Sequence, residues 1–223
     1  MVPREEPGSA RDVAAFGEKL VAAALDADYT LPADARARLT THYRLLRQWG
    51  RRTNLTGLRT PEAILKRHFL EPIAAVDLLE GEGTLLDIGS GNGFPAIPLA
   101  ILHPGTKLVL VEASEKKSAF LTTVLRETGL KAAQVVTRRV CRRADLGDCL
   151  PVRWLTFRGV KIAEPLSGDG PEILVAGGRM LAFLSAEDAD RLAADPPPGL
   201  HWTMSRPLPM SPGDVVAVFE PPA

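Results

Sequence analysis

One eleven-residue stretch constrains the fold more than any other part of the chain: Leu85-Leu86-Asp87-Ile88-Gly89-Ser90-Gly91-Asn92-Gly93-Phe94-Pro95. A short apolar strand runs into a turn with glycines at alternate positions, and an apolar segment, Phe94 to Leu102, follows with helical character. Glycine lets the backbone turn sharply and approach a ligand closely. In open α/β sheets that approach takes place at the carboxyl ends of strands. A dinucleotide fingerprint reads Gly-x-Gly-x-x-Gly and seats a pyrophosphate over the helix N-terminus. Here the third glycine comes one residue early, and Asp87 sits two residues before the first. A carboxylate there repels a pyrophosphate and suits a cationic or amine-bearing ligand. S-adenosylmethionine fits, having an ammonium, a sulfonium and no phosphate. Glu112 ends the next apolar segment, where an acid can accept hydrogen bonds from both ribose hydroxyls.

The surrounding pattern agrees with such a sheet. After Gly81-Glu82-Gly83, strands are predicted at Thr84–Ile88, Lys107–Glu112, Ala133–Thr137, Val152–Phe157 and, after Gly177-Gly178, Arg179–Leu184. Helical stretches are predicted at Glu115–Thr128, closed by Gly129, and at Ile162–Val175. His201–Ser205 and Val215–Phe219 read as late strands of a proline-rich hairpin. Alternating strands and helices imply a mostly parallel, doubly wound α/β sheet. The first 80 residues read as helical instead. Val13, Phe16, Leu20 and Ala24 share one face, as do Leu39, Tyr43, Leu46 and Trp49 in a helix opened by Leu31-Pro32, and Thr60 is the expected N-cap of a third helix. The expected organisation is a helical N-terminal region over 1–80 and a ligand-binding α/β domain over 81–223.

Charge is balanced overall, with a formal net of +0, but not locally. Between Arg36 and Arg67 nine bases oppose Glu62 alone, and between Arg138 and Arg158 six arginines oppose Asp145 and Asp148. From Gly159 onward nine acids outnumber four bases. A one-sided basic surface attracts phosphate backbones, and Arg forks suit phosphates and stack on bases; a solvated helix face is the alternative. Cys141 and Cys149 are too few for a disulfide scaffold or a cysteine-based zinc site. The chain shows neither a run of about 18 apolar residues nor the apolar core of a signal peptide. The expectation is a soluble, cytoplasmic, reduced protein without a metal.

Four segments resemble one family in order. Gln48-Trp49-Gly50-Arg51-Arg52-Thr53-Asn54-Leu55-Thr56 resembles W-N-x-x-x-N-L-T, with Gly50 replacing the first Asn. Lys66-Arg67-His68-Phe69-Leu70 resembles R-H-x-L/F. Asp87 to Pro98 resembles D-x-G-[ST]-G-x-G-F-P-G-I-P, with Ala96 replacing a Gly, and Glu115 to Leu121 resembles G-K-[KR]-x-x-F-L. This is the bacterial glucose-inhibited division protein B family, whose members methylate N7 of a guanine in 16S ribosomal RNA with S-adenosylmethionine. The resemblance implies a Rossmann-like methyltransferase fold, that cofactor, and 16S ribosomal RNA or the small ribosomal subunit as partner of a monomer, without DNA or membrane.

Carried over residue by residue, the resemblance and the charge pattern give the expected site. Cofactor contacts are Asp87, Gly89, Ser90, Gly91, Gly93, Phe94, Glu112, Ala113 and Arg139. Arg158 and Arg139 are the expected catalytic residues, Arg158 orienting the guanine. Arg44, Arg47, Arg51, Arg52, Arg67, His68, Lys116 and Lys117 are the expected RNA contacts, while Phe94 and Phe157 are candidates for stacking on a base. The chain departs from the family after residue 140. Cys141 and Arg142 stand where acids follow the arginine, Arg153, Phe157 and Gly159 replace Asp, Ser and Ala around Arg158, and Leu184 replaces a lysine. Two alternatives stay open: a catalytically impaired relative that binds RNA or cofactor, and a methyltransferase with another substrate.

Overall fold

The computed structural model describes residues 8–50, 53–159, 166, 170, 172–208 and 211–222. Helices α1 (Ala10–Asp26) and α2 (Ala33–Trp49) come first, and the Ser9 hydroxyl caps α1 by accepting the Asp12 N–H. Thr60 caps the next helical segment as expected, its hydroxyl accepting the Ala63 N–H. That segment runs through α3 (Pro61–Ile64), a π turn (Leu65–Leu70) and α4 (Glu71–Ile73). Then follow β1 (Gly83–Ile88), α5 (Ala96–Leu102), β2 (Thr106–Glu112), α6 (Glu115–Thr128), β3 (Ala133–Thr137), β4 (Val152–Arg158), β5 (Leu174–Ser185), α7 (Ala186–Ala194), β6 (His201–Pro207) and β7 (Asp214–Glu220).

The seven strands form one sheet in the order β3-β2-β1-β4-β5-β7-β6. The pairs from β3 to β5 are parallel, and β7 runs antiparallel to both β5 and β6. The chain winds outward from β1 to β3 and returns to place β4 on the other side of β1. The gap between β1 and β4 is therefore the switch point at which doubly wound sheets bind ligands.

Side chains alternate between the two faces of a strand. Leu85, Leu108, Leu110, Trp154, Leu181, Phe183, Val216 and Val218 point into one buried layer, shared with Phe16, Leu39, Tyr43, Phe69, Phe94 and Phe120. Leu86, Ile88, Val109, Val111, Leu155, Phe157, Met180, Ala182, Ala217 and Phe219 point into the other. The helical N-terminal region thus buries its apolar faces in the same layer as α5, α6 and one face of the sheet.

Three expectations change. The fifth strand begins at Leu174, so Gly177-Gly178 lies inside it, opposite the point where pairing with β4 shifts register between Val152 and Trp154. Gly in a strand often marks such an irregularity. Of the helix predicted over 162–175, Leu174 and Val175 are strand, and most of the rest lies outside the described residues. The helix after Gly93 starts at Ala96, two residues later than predicted. α7 was not predicted; Ala189 is the one residue it buries fully.

Within the helical layer the Tyr43 ring stacks on Phe16 at 3.7 Å, and its hydroxyl donates to the Asp12 carboxylate, 3.0 Å from Oδ1. Removing that donor leaves a buried carboxylate short of a partner, which costs about 1–3 kcal/mol. Tyr43→Phe is accordingly expected to lower the unfolding free energy in urea by about 1–2 kcal/mol. A loss below about 0.5 kcal/mol would remove this bond from the interactions that hold α1 on α2.

Candidate active site at the carboxyl edge of the sheet

The glycine turn is bonded to the neighbouring strand before any ligand arrives. The N–H groups of Gly89 and Ser90 both donate to the Val111 carbonyl, at 2.9 and 3.1 Å. The Ser90 hydroxyl donates to the Asp87 carbonyl at 2.9 Å. Gly91 and Gly93 both adopt left-handed backbone, with φ of +55° and +84°. A Cβ on Gly93 would meet Ile97 Cδ1 at 2.5 Å, so this glycine lets the loop lie down on α5. A Cβ on Gly91 would meet nothing nearer than the Gly89 carbonyl oxygen at 3.6 Å, which leaves space for a ligand against bare backbone. The Glu112 carboxylate closes the other side, with Oε2 accepting the Gly91 N–H and Oε1 the Ser114 N–H, each at 2.8 Å. A carboxylate has about four acceptor sites, so about two remain unused among the described residues. Ala113 is exposed beside it.

Asp87, Glu112, Thr156 and Arg158 all project from strand positions of the same parity as Leu85, Leu110 and Trp154, toward the helical layer. Asp87 lies opposite Thr156 across the β1–β4 pairing, and the Thr156 hydroxyl donates to Asp87 Oδ1 at 2.8 Å. Asp87 is only 1% exposed, and burial pushes its carboxyl up to about 7 against the opposing effects of the Thr156 and Ser90 bonds and the Arg158 charge. Burial thus moves this carboxyl toward its neutral form.

Phe94 is not free to meet a base. Its ring lies between two imidazoles, His42 at 4.2 Å and His68 at 4.3 Å between centroids, tilted by 5° and 10°. Phe157 is 1% exposed in the opposite apolar layer. Both candidates for base stacking are thus spent on packing. His68 is buried as well, with Nε2 at 3.1 Å from Thr56 Oγ1 and 3.2 Å from Asn92 Nδ2. Burial, with the Arg158, His42 and Arg67 charges adding, holds its pKa well below the usual imidazole range. His68 therefore braces the glycine loop as a neutral ring. His42 and Asn92, which sequence reading missed, do so with it. The available signal was a histidine on the apolar face of α2, between Leu39 and Leu46.

Arg158 stands at the carboxyl end of β4 with its guanidinium already engaged. It pairs with the buried Glu71 carboxylate, donates from Nη1 to the Arg67 carbonyl at 2.6 Å, and lies over the Phe183 ring at 5.0 Å. The other Glu71 oxygen accepts the Ser211 hydroxyl, and Arg67 pairs with Asp214 at 3.3 Å. A guanidinium has five N–H donors, so about three remain after those two bonds among the described residues.

The predicted RNA contacts divide. Arg44 bridges to Glu127 on α6 at 2.5 Å. Arg47 turns inward, lying 3.9 Å from Asp12, donating to the Arg59 carbonyl at 3.3 Å and covering the Tyr43 ring, which corrects the expectation of a phosphate contact there. Arg51 and Arg52 lie outside the described residues. Lys66, Arg67, Lys116 and Arg139 are exposed and Lys117 is half-buried. Lys66 and Arg67 sit on the π turn, Lys116 and Lys117 in the first turn of α6, and Arg139 just past β3, so they ring the carboxyl edge of the sheet. Two of the family departures lie away from this edge. Arg153, near the amino end of β4, donates to the Ala176 and Glu80 carbonyls, and Leu184 packs in the opposite apolar layer.

The sequence profile described as rRNA small subunit methyltransferase G matches residues 35–197. The chain belongs to the rRNA small subunit methyltransferase G family. A relative of that name from Alkalilimnicola ehrlichii is 38% identical over 170 residues, covering 75% of this chain and 74% of the relative. One from Xanthomonas oryzae pv. oryzae is 34% identical over 197 residues, covering 88% and 87%. Among solved structures, a ribosomal protein L11 methylase from Lactobacillus delbrueckii subsp. bulgaricus matches with a TM-score of 0.54 at 11% identity, over 74% of this chain and 81% of that one. A putative S-adenosyl-L-methionine-dependent methyltransferase from Methanococcus maripaludis matches with a TM-score of 0.53 at 16% identity, over 73% and 90%. These likenesses show that this member of the small subunit methyltransferase G family has the Rossmann-like methyltransferase fold.

The raised pKa of Asp87 has a measurable consequence. The unfolded carboxyl releases its proton near its ordinary value of 3.8, the folded one near 7. Between those values the folded state binds more protons, so this group makes stability fall as pH rises and level off above about 7. Asp87→Asn removes that contribution. Urea midpoints are expected to shift in favour of the variant between pH 4.5 and pH 7.5, and an equal pH dependence in both proteins would show that Asp87 is ionised throughout.

Proposed function

We propose that this chain transfers the methyl group of S-adenosylmethionine to N7 of a guanine in 16S ribosomal RNA, acting as a cytoplasmic monomer on the RNA or the small ribosomal subunit. The observation that carries this reading is the glycine loop at the switch point, open at Gly91, closed by Glu112 and ringed by exposed cations. A phosphate-rich cofactor suits it poorly, because the Glu112 carboxylate closes the loop, whereas a ligand offering ribose hydroxyls suits that acid. When bound, S-adenosylmethionine supplies an electrophilic methyl group on a sulfonium.

N7 of guanine carries an in-plane lone pair and no proton, so the transfer needs no general base. What the protein contributes is orientation and exclusion of water. In this reading the two unused acceptor sites of Glu112 hold the ribose, and the loop backbone from Gly89 to Gly93, with Ser90 beneath it, lies along the cofactor. Ala113 and Arg139 border its adenine end. Arg158 points its remaining N–H groups at O6 of guanine or a flanking phosphate, since N7 itself must stay free. The exposed Lys66, Arg67, Lys116 and Arg139 place the RNA backbone, with Lys117 beside them.

The test is methyl transfer from labelled cofactor to small ribosomal subunits and to free 16S RNA, with the modified base mapped. One N7-methylguanine per particle is the expected result. Cofactor binding without transfer favours the impaired relative, and transfer to another acceptor overturns the substrate. Arg158→Ala is expected to lower the transfer rate by about 100-fold with cofactor affinity kept, in line with loss of a positioning contact. Equal losses in both would move Arg158 into the cofactor pocket or the fold.

Salt dependence separates the cations. Lys116→Ala and Arg139→Ala should each flatten the logarithmic dependence of RNA affinity on salt by about 0.7–0.9. Arg47→Ala should leave that slope unchanged, and a flattened slope there would return Arg47 to the RNA surface.

A further inference from the structure

The loop that the proposed function assigns to the cofactor is held partly by side chains that reach it from the helical N-terminal region. The Asn92 carbonyl, at the crest of the loop, lies 2.9 Å from His42 Nε2 on α2. A carbonyl only accepts, so His42 carries its proton on Nε2. Its Nδ1 is then a bare acceptor, buried with no hydrogen-bond partner among the described residues. An unsatisfied buried nitrogen is unfavourable, and phenylalanine would fill the same space in the Phe94 stack without it. What the imidazole adds over phenylalanine is the bond to Asn92. The ring is fully buried, and desolvation pushes its pKa down to about 4, so it stays neutral near pH 7.

The Asn92 side chain is held from the opposite ring of the stack. Its amide nitrogen is a donor, so His68 Nε2 accepts from it at 3.2 Å. Both histidines therefore grip one residue, between Gly91 and Gly93, whose backbone lies in the left-handed region, and both press on Phe94 immediately beyond. Glu112 anchors Gly91 from the sheet side. The loop between Gly91 and Phe94 is consequently fixed by the sheet on one side and by α2 and the π turn on the other.

We propose that His42, His68 and Asn92 form a clamp through which the helical N-terminal region pre-shapes the Gly89–Gly93 loop and so sets its affinity for the adenosyl cofactor. The three are positioning residues, acting on the loop backbone and not on the reacting atoms. The effect on cofactor rests on the proposed function; the effect on the loop does not. Pre-organisation of a binding loop raises affinity by removing an ordering cost that binding would otherwise bear.

The test uses the whole chain and three variants. His42→Phe keeps the ring stack and removes the donor, His42→Gln keeps an amide donor and removes the ring, and the half-buried Asn92→Ala releases the His68 arm alone. Amide hydrogen exchange at Gly91 and Gly93, both hydrogen-bonded here, reads the clamp without any ligand. Calorimetric titration with S-adenosylmethionine and steady-state transfer read its consequence. His42→Phe and Asn92→Ala are expected to speed loop exchange and weaken cofactor binding by about tenfold, the size of one lost buried hydrogen bond. The turnover rate at saturating cofactor should stay within about twofold, and His42→Gln should recover part of the affinity. A merely packing histidine would make His42→Phe neutral or tighter. Unchanged loop exchange in a folded His42→Phe and in Asn92→Ala overturns the clamp. Faster exchange with unchanged cofactor affinity overturns its role in binding. If the unaltered chain binds no S-adenosylmethionine, the proposed function and the cofactor role both fall, and exchange still decides the clamp.

Discussion

Side-chain alternation along neighbouring parallel strands is the constraint on which the site depends. With a period of two, a single choice of face for Leu85, Leu110 and Trp154 also decides the direction of Asp87, Glu112, Thr156 and Arg158. The apolar members bury that face under the helices, and the polar members lie nearer the carboxyl ends, with Asp87, Glu112 and Thr156 buried beside the glycine loop. A slip of one residue in any of these strands would send its polar group into the opposite layer, among Leu86, Leu155 and Phe157. Core packing and site assembly are thus enforced by the same register.

Placing polar groups at the rim of an apolar layer has a cost, and each group is stabilised by a neighbour from a different element. Asp87 on β1 takes a hydroxyl from β4, Arg158 on β4 takes a carboxylate from α4, and Glu71 also takes the hydroxyl of Ser211 before β7. Breaking one partner of a buried ion pair strands the other charge, so these contacts couple the strands to the helices more tightly than their number suggests. Burial leaves its mark on the charge states, raising Asp87 toward neutrality and holding both His42 and His68 neutral. The site edge is therefore less charged than its composition implies, and the exposed cations Lys66, Arg67, Lys116 and Arg139 lie on the rim.

Most of the sheet was legible because its signals are local. Gly-rich turns, apolar runs and a helix closed by Gly129 delimit β1, β2, β3 and α6 within a residue or so. The regions misread are those where local cues conflict with pairing. Gly177-Gly178 looks like the end of a loop, yet β5 continues through it because β4 offers a partner on either side of the register shift. The arginine-rich α2 read as one basic face, but its arginines part company once neighbours exist. Arg44 meets Glu127 and Arg47 meets Asp12, partners 83 and 35 residues away in the chain.

By itself the sequence determined the doubly wound strand pattern, the glycine loop with Asp87 and Glu112 at its ends, and the family. Each rests on residues close together or on motifs in order. Only the tertiary structure decided which of the named side chains are free to act. Phe94 is sandwiched by rings from α2 and the π turn, and His68 is a brace. Arg158 is already paired, and Lys116 and Arg139 are open to solvent. The physical reason is that availability depends on contacts between elements far apart in the chain, and a buried polar group takes whichever partner the packing brings within hydrogen-bond reach.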